Sequence, residues 1–211
     1  MAITTLDGII AAPSQRVSYL KTGARTTVAS SASALFDVSG APSGTLAVGN
    51  TANGIFPSHT IAGYPKLNAF AGGATGYLNS VEFSSTVASR LLIWDCLFSA
   101  GAYAFNANTT LVSQPSYAAR VPSSDYKGLE LWLEAVTAFT GNPTVTVTYT
   151  NQDGTTGRTT GAIATGMTPI VGRMIRLPLQ AGDTGIQKIE SVTCAVSTAG
   201  TFNIHVMRKL W

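Results

Sequence analysis

The chain has 211 residues and a mass of 21.9 kDa, enough for one domain or for one domain with an extended arm. Only 11% of residues are charged and 45% are hydrophobic, which excludes charge-driven disorder. The formal charge of +3 comes from 13 basic and 10 acidic residues scattered along the chain, with no run that would track a phosphate backbone, so a nucleic-acid coat is excluded too.

In chain order, a short helix is expected over Leu6–Ala12, with Thr5 as N-cap and Asp7 near the positive end. Pro13 ends that pattern. Up to residue 75 the hydrophobic residues are sparse and punctuated, as in Ala41-Pro42-Ser43-Gly44 and Gly63-Tyr64-Pro65, which defeats both the 3.6 and the 2.0 periodicity. Residues 1–75 therefore read as an extended, loop-rich arm. An arm of that composition cannot offset its own ordering entropy of about 1–2 kcal/mol per residue, so it must be pinned by the rest of the chain or by neighbouring chains.

Strands follow in residues 76–211. The run Leu91–Phe98 is apolar on both faces and reads as a central strand. Leu129, Leu131 and Leu133 alternate with Glu130, Trp132 and Glu134, a half-buried strand. Val145, Val147 and Tyr149 alternate with threonines and run into Asn151-Gln152-Asp153-Gly154, a hairpin signal. Another strand is expected within Ile170–Leu179, limited by Pro169 and Pro178. Val192, Cys194 and Val196 alternate, Thr198-Ala199-Gly200 turns the chain, and Phe202, Ile204 and Val206 alternate again. About eight strands without a long helix imply an all-β fold: an antiparallel β-sandwich, jelly-roll-like, preceded by the arm.

Chemistry finds little purchase. Cys96 and Cys194 read as buried reduced thiols, and no His or further Cys stands at zinc-ligand spacing around them. His205 falls on the strand face opposite the apolar residues and reads as exposed or partly covered; His59 reads as a loop residue. A Ser-His-Asp set would converge only in space, and no G-x-S-x-G elbow occurs. Glu130 and Glu134, about 13 Å apart along one strand face, are too distant for paired carboxylate catalysis. No phosphate loop or calcium loop is present, so no metal, nucleotide or other cofactor is expected. The longest apolar run is far shorter than the roughly 20 residues of a membrane helix and contains Asp95; no signal segment precedes it, and assembly in a cytoplasm is expected.

Association is the better-supported theme. The arm is neutral and rich in small residues, and the chain ends Met207-Arg208-Lys209-Leu210-Trp211 with an apolar anchor. Partner contacts are expected at Ile9, Ile10, Phe56, Tyr64, Trp132, Leu210 and Trp211. Trp132 has two readings: a sugar-stacking platform between carboxylates, or a residue packed under the arm or a neighbouring subunit. The second is favoured, because aromatic residues are enriched at interfaces.

The segments Tyr77–Phe83, Leu91–Asp95, Gly128–Glu134 and Val145–Gly154, with the opening Ile3–Ala12, resemble those of virion structural proteins of tailed bacteriophages. The resemblance implies a non-enzymatic particle component assembled in the bacterial host cytoplasm. A capsid cement or decoration protein is the leading expectation, bound to the major capsid protein or other virion proteins and forming a homo-oligomer, a trimer favoured. A tail, neck or baseplate component is the near alternative, and a carbohydrate- or receptor-binding module the alternative of another class.

Overall fold

The structure, a computed structural model, describes residues 5–12, 15–42, 47–61, 63–65, 67, 68, 76, 78–139, 141–164, 170–195 and 199–210. It is nearly all β. The one α-helix, α1, covers Leu6–Ala11, and Thr5 caps it by accepting the Gly8 N–H at 3.1 Å through Oγ1. Pro13, expected to end the helix, lies outside the described residues, as do Pro169, Val196, Thr198 and Trp211.

Three two-residue strands lie in the first part: β1 (Leu20–Lys21), β2 (Ala32–Ser33) and β3 (Gly40–Ala41). The main body supplies β4 (Trp94–Ala104), β5 (Thr109–Thr110), β6 (Leu129–Ala135), β7 (Thr144–Asn151), β8 (Arg158–Thr159) and β9 (Ile163–Ala164). The chain continues through β10 (Arg173–Leu177), β11 (Ile186–Ala195) and β12 (Thr201–Lys209). One antiparallel sheet runs β2-β10-β6-β12-β4; the other runs β5-β11-β7-β8, with β9 also on β7; β1 and β3 pair by themselves.

The alternation of β6 explains how the sheets meet. Leu129, Leu131 and Leu133 point inward and join Leu97, Phe98, Phe202, Ile204 and Val206 from the same sheet. Val145, Val147, Tyr149, Ile189 and Val192 of the second sheet face them in one continuous core. Full burial of each such side chain contributes about 1.5–3 kcal/mol. The expected hairpin is present: β7 pairs with β8 through Thr148↔Thr159 and Tyr149↔Arg158, and Asn151 Oδ1 accepts the Asp153 and Thr155 N–H groups within the turn.

Two expectations about strands change. The run at Leu91–Phe98 is not central: β4 begins at Trp94 and lies at the edge of its sheet, on β12 alone. Its second apolar face is covered by residues 32–36: Trp94 and Cys96 pack with Ala32, Ala34 and Phe36 in a second apolar cluster, while Ile55 bridges to Ser99 on the open flank. The connection after β11 is a crossover. It carries the chain from one sheet to the other, because β11 pairs with β7 whereas β12 pairs with β4 and β6.

Residues 20–42 are held by the rest of the chain. β2 extends the first sheet through Arg173↔Ser33 and Met174↔Ala32. The Lys21 ammonium donates to the carbonyls of Phe36, Val38 and Pro42 at 3.4, 3.0 and 3.0 Å. Arg25 donates to the Val171 carbonyl at 2.7 Å and pairs with Asp37. At Gly54, φ is +67° and a Cβ would lie 2.3 Å from the Phe98 ring, so only glycine lets the arm approach β4 this closely.

Candidate functional site

The outer face of the first sheet gathers the chemistry-bearing side chains, because inward leucines leave the alternate residues on the other side. On β12, His205 stands directly opposite Ser99 of β4 and Trp132 of β6. Glu134, two residues beyond Trp132, falls on the diagonal. The imidazole thus bridges two strands: Nδ1 is 2.8 Å from Ser99 Oγ and Nε2 is 3.1 Å from Glu134 Oε2. Asn203 Nδ2 donates to the same Glu134 oxygen at 2.8 Å, while Ser99 Oγ lies 3.2 Å from Cys96 Sγ and 3.5 Å from the Tyr64 hydroxyl.

This corrects the expectation for His205, whose exposure is 0%. The residue does lie opposite the apolar face, but residues 32–36 cover that face: the Phe36 ring stands edge-on, 6.1 Å from the imidazole. Sequence reasoning missed the Ser99–His205–Glu134 set because its members are 106 and 71 residues from His205. The available signal was the shared parity of the two strands, Glu134 on β6 and His205 on β12.

Ser, His and carboxylate in series are the members of a nucleophilic relay, but their electrostatic state is a different one. Burial opposes charge on His205, yet the nearby Cys96 thiol and the hydrogen bond and field of Glu134 outweigh it and raise the imidazole to about 9. Burial likewise opposes the Glu134 carboxylate, and His205, Asn203 and the Arg25 charge hold it below its ordinary value. Near neutral pH the pair is imidazolium and carboxylate, with Nδ1–H donating to Ser99. A protonated ring cannot take the serine proton, and Ser99 is itself fully buried. What this arrangement does is bind strands β4, β12 and β6 together beneath the arm.

The other expected site residues distribute unevenly. Trp132 is 9% exposed and packs with Met174, Met207, Ala34, Phe36 and Trp94 in a second apolar cluster between arm and sheet. Its Nε1–H donates to Glu130 at 2.8 Å, as does that of Trp94 at 3.2 Å, with the two indoles edge to face. No ring face is left there for a sugar. Glu130 and Glu134 belong to separate networks. Phe56 packs on the main core under the Arg120 guanidinium, which also pairs with Asp95 and donates to the Pro57 carbonyl. The Tyr64 hydroxyl faces Cys96 and Ser99.

Ile9 and Ile10 are on α1, and Ile10 is 74% exposed; Leu210 is also exposed. His59 is exposed in a turn. Cys96 and Cys194 are free thiols, half-buried rather than buried as expected. Among the described residues no group of three or more His, Cys, Asp or Glu side chains could hold a metal ion, and no helix is long and apolar enough to cross a membrane.

The remaining surface feature is apolar. Among the described residues, Leu6, Ile10, Val17 and Leu20 near the start, and Leu67, Leu78, Phe83 and Val87 further on, are 40–74% exposed. The two stretches touch: Gln15 and Asn68 exchange hydrogen bonds at 2.9 and 2.7 Å, and Arg16 approaches Glu82 at 3.9 Å. No protein-family model, curated protein or solved structure matches the chain.

Proposed function

We propose that this chain is a structural subunit of a bacteriophage virion, a capsid cement or decoration protein built as a jelly-roll-like sandwich wrapped by its N-terminal arm. It joins the particle in the host cytoplasm as a homo-oligomer, with a trimer favoured, and bridges subunits of the major capsid protein. The observation that carries the reading is the exposure of Leu6, Ile10, Val17 and Leu20 together with Leu67, Leu78, Phe83 and Val87, in two stretches that touch at Gln15 and Asn68. Large exposed apolar side chains gathered on one part of a surface mark interaction sites. Ser99, His205 and Glu134 on the covered sheet face are engaged with one another, in keeping with a non-enzymatic part.

Quantitative mass spectrometry of purified particles from a strain carrying the gene tests this. Hundreds of copies per particle are expected. A dozen or fewer would move the chain to the tail, neck or baseplate, and absence from particles would refute the reading.

A further inference from the structure

The ladder between β6 and β10 opens at one end. It runs from Met174↔Glu134 to Leu177↔Leu131 and stops before Pro178, which has no N–H to extend it. Contact resumes only where the Gly128 N–H donates to the Thr184 carbonyl at 2.7 Å and Lys127 bridges to Gly185. Between these points residues 129 and 130 make no backbone hydrogen bond to residues 178–184, and a cleft of about 410 Å³ lies in the gap. That volume falls within the roughly 300–1,000 Å³ of small-molecule sites. Leu129, Pro178 and Leu179 give it apolar walls, while Glu130, Arg176 and Thr184 supply polar groups. None of its lining residues belongs to residues 32–36, so the cleft stays open beyond the strap.

Glu130 is fixed in advance. Its Oε2 accepts the Nε1–H groups of Trp132 and Trp94 at 2.8 and 3.2 Å, from indoles packed edge to face. Oε1 is left to Arg176, whose Nη2 stands 3.4 Å away on a side chain that is 62% exposed. A carboxylate held from behind by two indoles, beside a guanidinium attached so loosely, is an acceptor–donor pair that a ligand can enter. Asp183, the other acid at the cleft, is taken up by Arg158, Tyr149 and Asn151 and adds no free charge.

The charges select the occupant. An anion would meet Glu130, and a cation would meet Arg176. A zwitterion would have to split the pair, its ammonium and carboxylate each displacing one partner. Two adjacent hydroxyls bridge the pair as it stands, one donating to Oε1 and the other accepting from Nη2. We infer that this cleft binds a sugar, with Glu130 and Arg176 taking neighbouring hydroxyls and the C–H face of the ring resting on Pro178 and Leu179. Trp132 then acts as a positioning residue behind Glu130, not as the stacking platform itself. The site goes beyond the reading as a virion subunit and does not depend on it.

The reporter is built into the site, because a ligand on Glu130 changes the surroundings of the Trp94 and Trp132 indoles. Full-length protein is titrated with glucose, galactose, mannose and N-acetylglucosamine, and with glycine as the zwitterion probe, while tryptophan fluorescence is followed. A saturable change with at least one sugar and none with glycine is expected. Arg176→Met, at an exposed position, should weaken it at least about tenfold by removing a charged hydrogen-bond donor. Arg90→Met, which removes an exposed charge elsewhere, should leave it unchanged, and both variants should melt with wild type. No saturation by any of the four sugars, saturation by glycine instead, or sugar binding that survives Arg176→Met overturns the site.

Discussion

Replacing Glu134 with Gln isolates what the buried ion pair contributes. The folded protein raises His205 from 6.5 to about 9, so its proton is held more tightly than in the unfolded chain. Stability from this source is therefore complete below about pH 6.5 and is lost as pH rises through about 9. Glu134 behaves oppositely: lowered from 4.5, it contributes above that value and the contribution fades as pH falls through its folded one. With Gln in place, the ring loses the hydrogen bond and field of Glu134 while burial still opposes its charge and Cys96 alone still favours it, so its proton is held less tightly. Linkage then limits the gap between wild type and Glu134→Gln to at most about 3 kcal/mol at pH 6 and about 2 at pH 7.5, falling close to zero at pH 9.5. Urea unfolding at the three pH values, followed by the fluorescence of Trp94 and Trp132 nearby, measures it. A gap independent of pH, or one below about 1 kcal/mol at pH 6, would refute the assigned charge state.

Trp132→Ala should cost about 3–5 kcal/mol in the same urea assay, since it empties the cluster with Met174, Met207 and Trp94 and removes a donor from Glu130. Lys21→Met should leave three carbonyls of residues 36–42 without their shared donor; limited proteolysis within that loop is expected to speed up about tenfold, with little change in global unfolding.

Much of the main body could be read from periodicity, because the residues that alternate there also pair there. Leu129–Leu133 and Val145–Tyr149 each present one clean apolar face, and the turn at Asn151–Gly154 announces its hairpin. Where the reading went astray, the missing information was tertiary. Trp94–Phe98 looks central because both faces are apolar, yet the second face is covered by Ala34 and Phe36 from far back in the chain. His205 looks exposed because nothing in its own strand reveals that Phe36 lies over it. The arm itself resists reading for a related reason: β1, β2 and β3 are two residues long, too short to show a period, and its anchors Lys21 and Arg25 grip carbonyls through side chains, a contact with no sequence signature. The Ser99–His205–Glu134 set was invisible on the same grounds, being made by register alone.

The strap laid across one sheet closes that side of the molecule. Anything docking there would have to prise off Phe36 and wet Trp132.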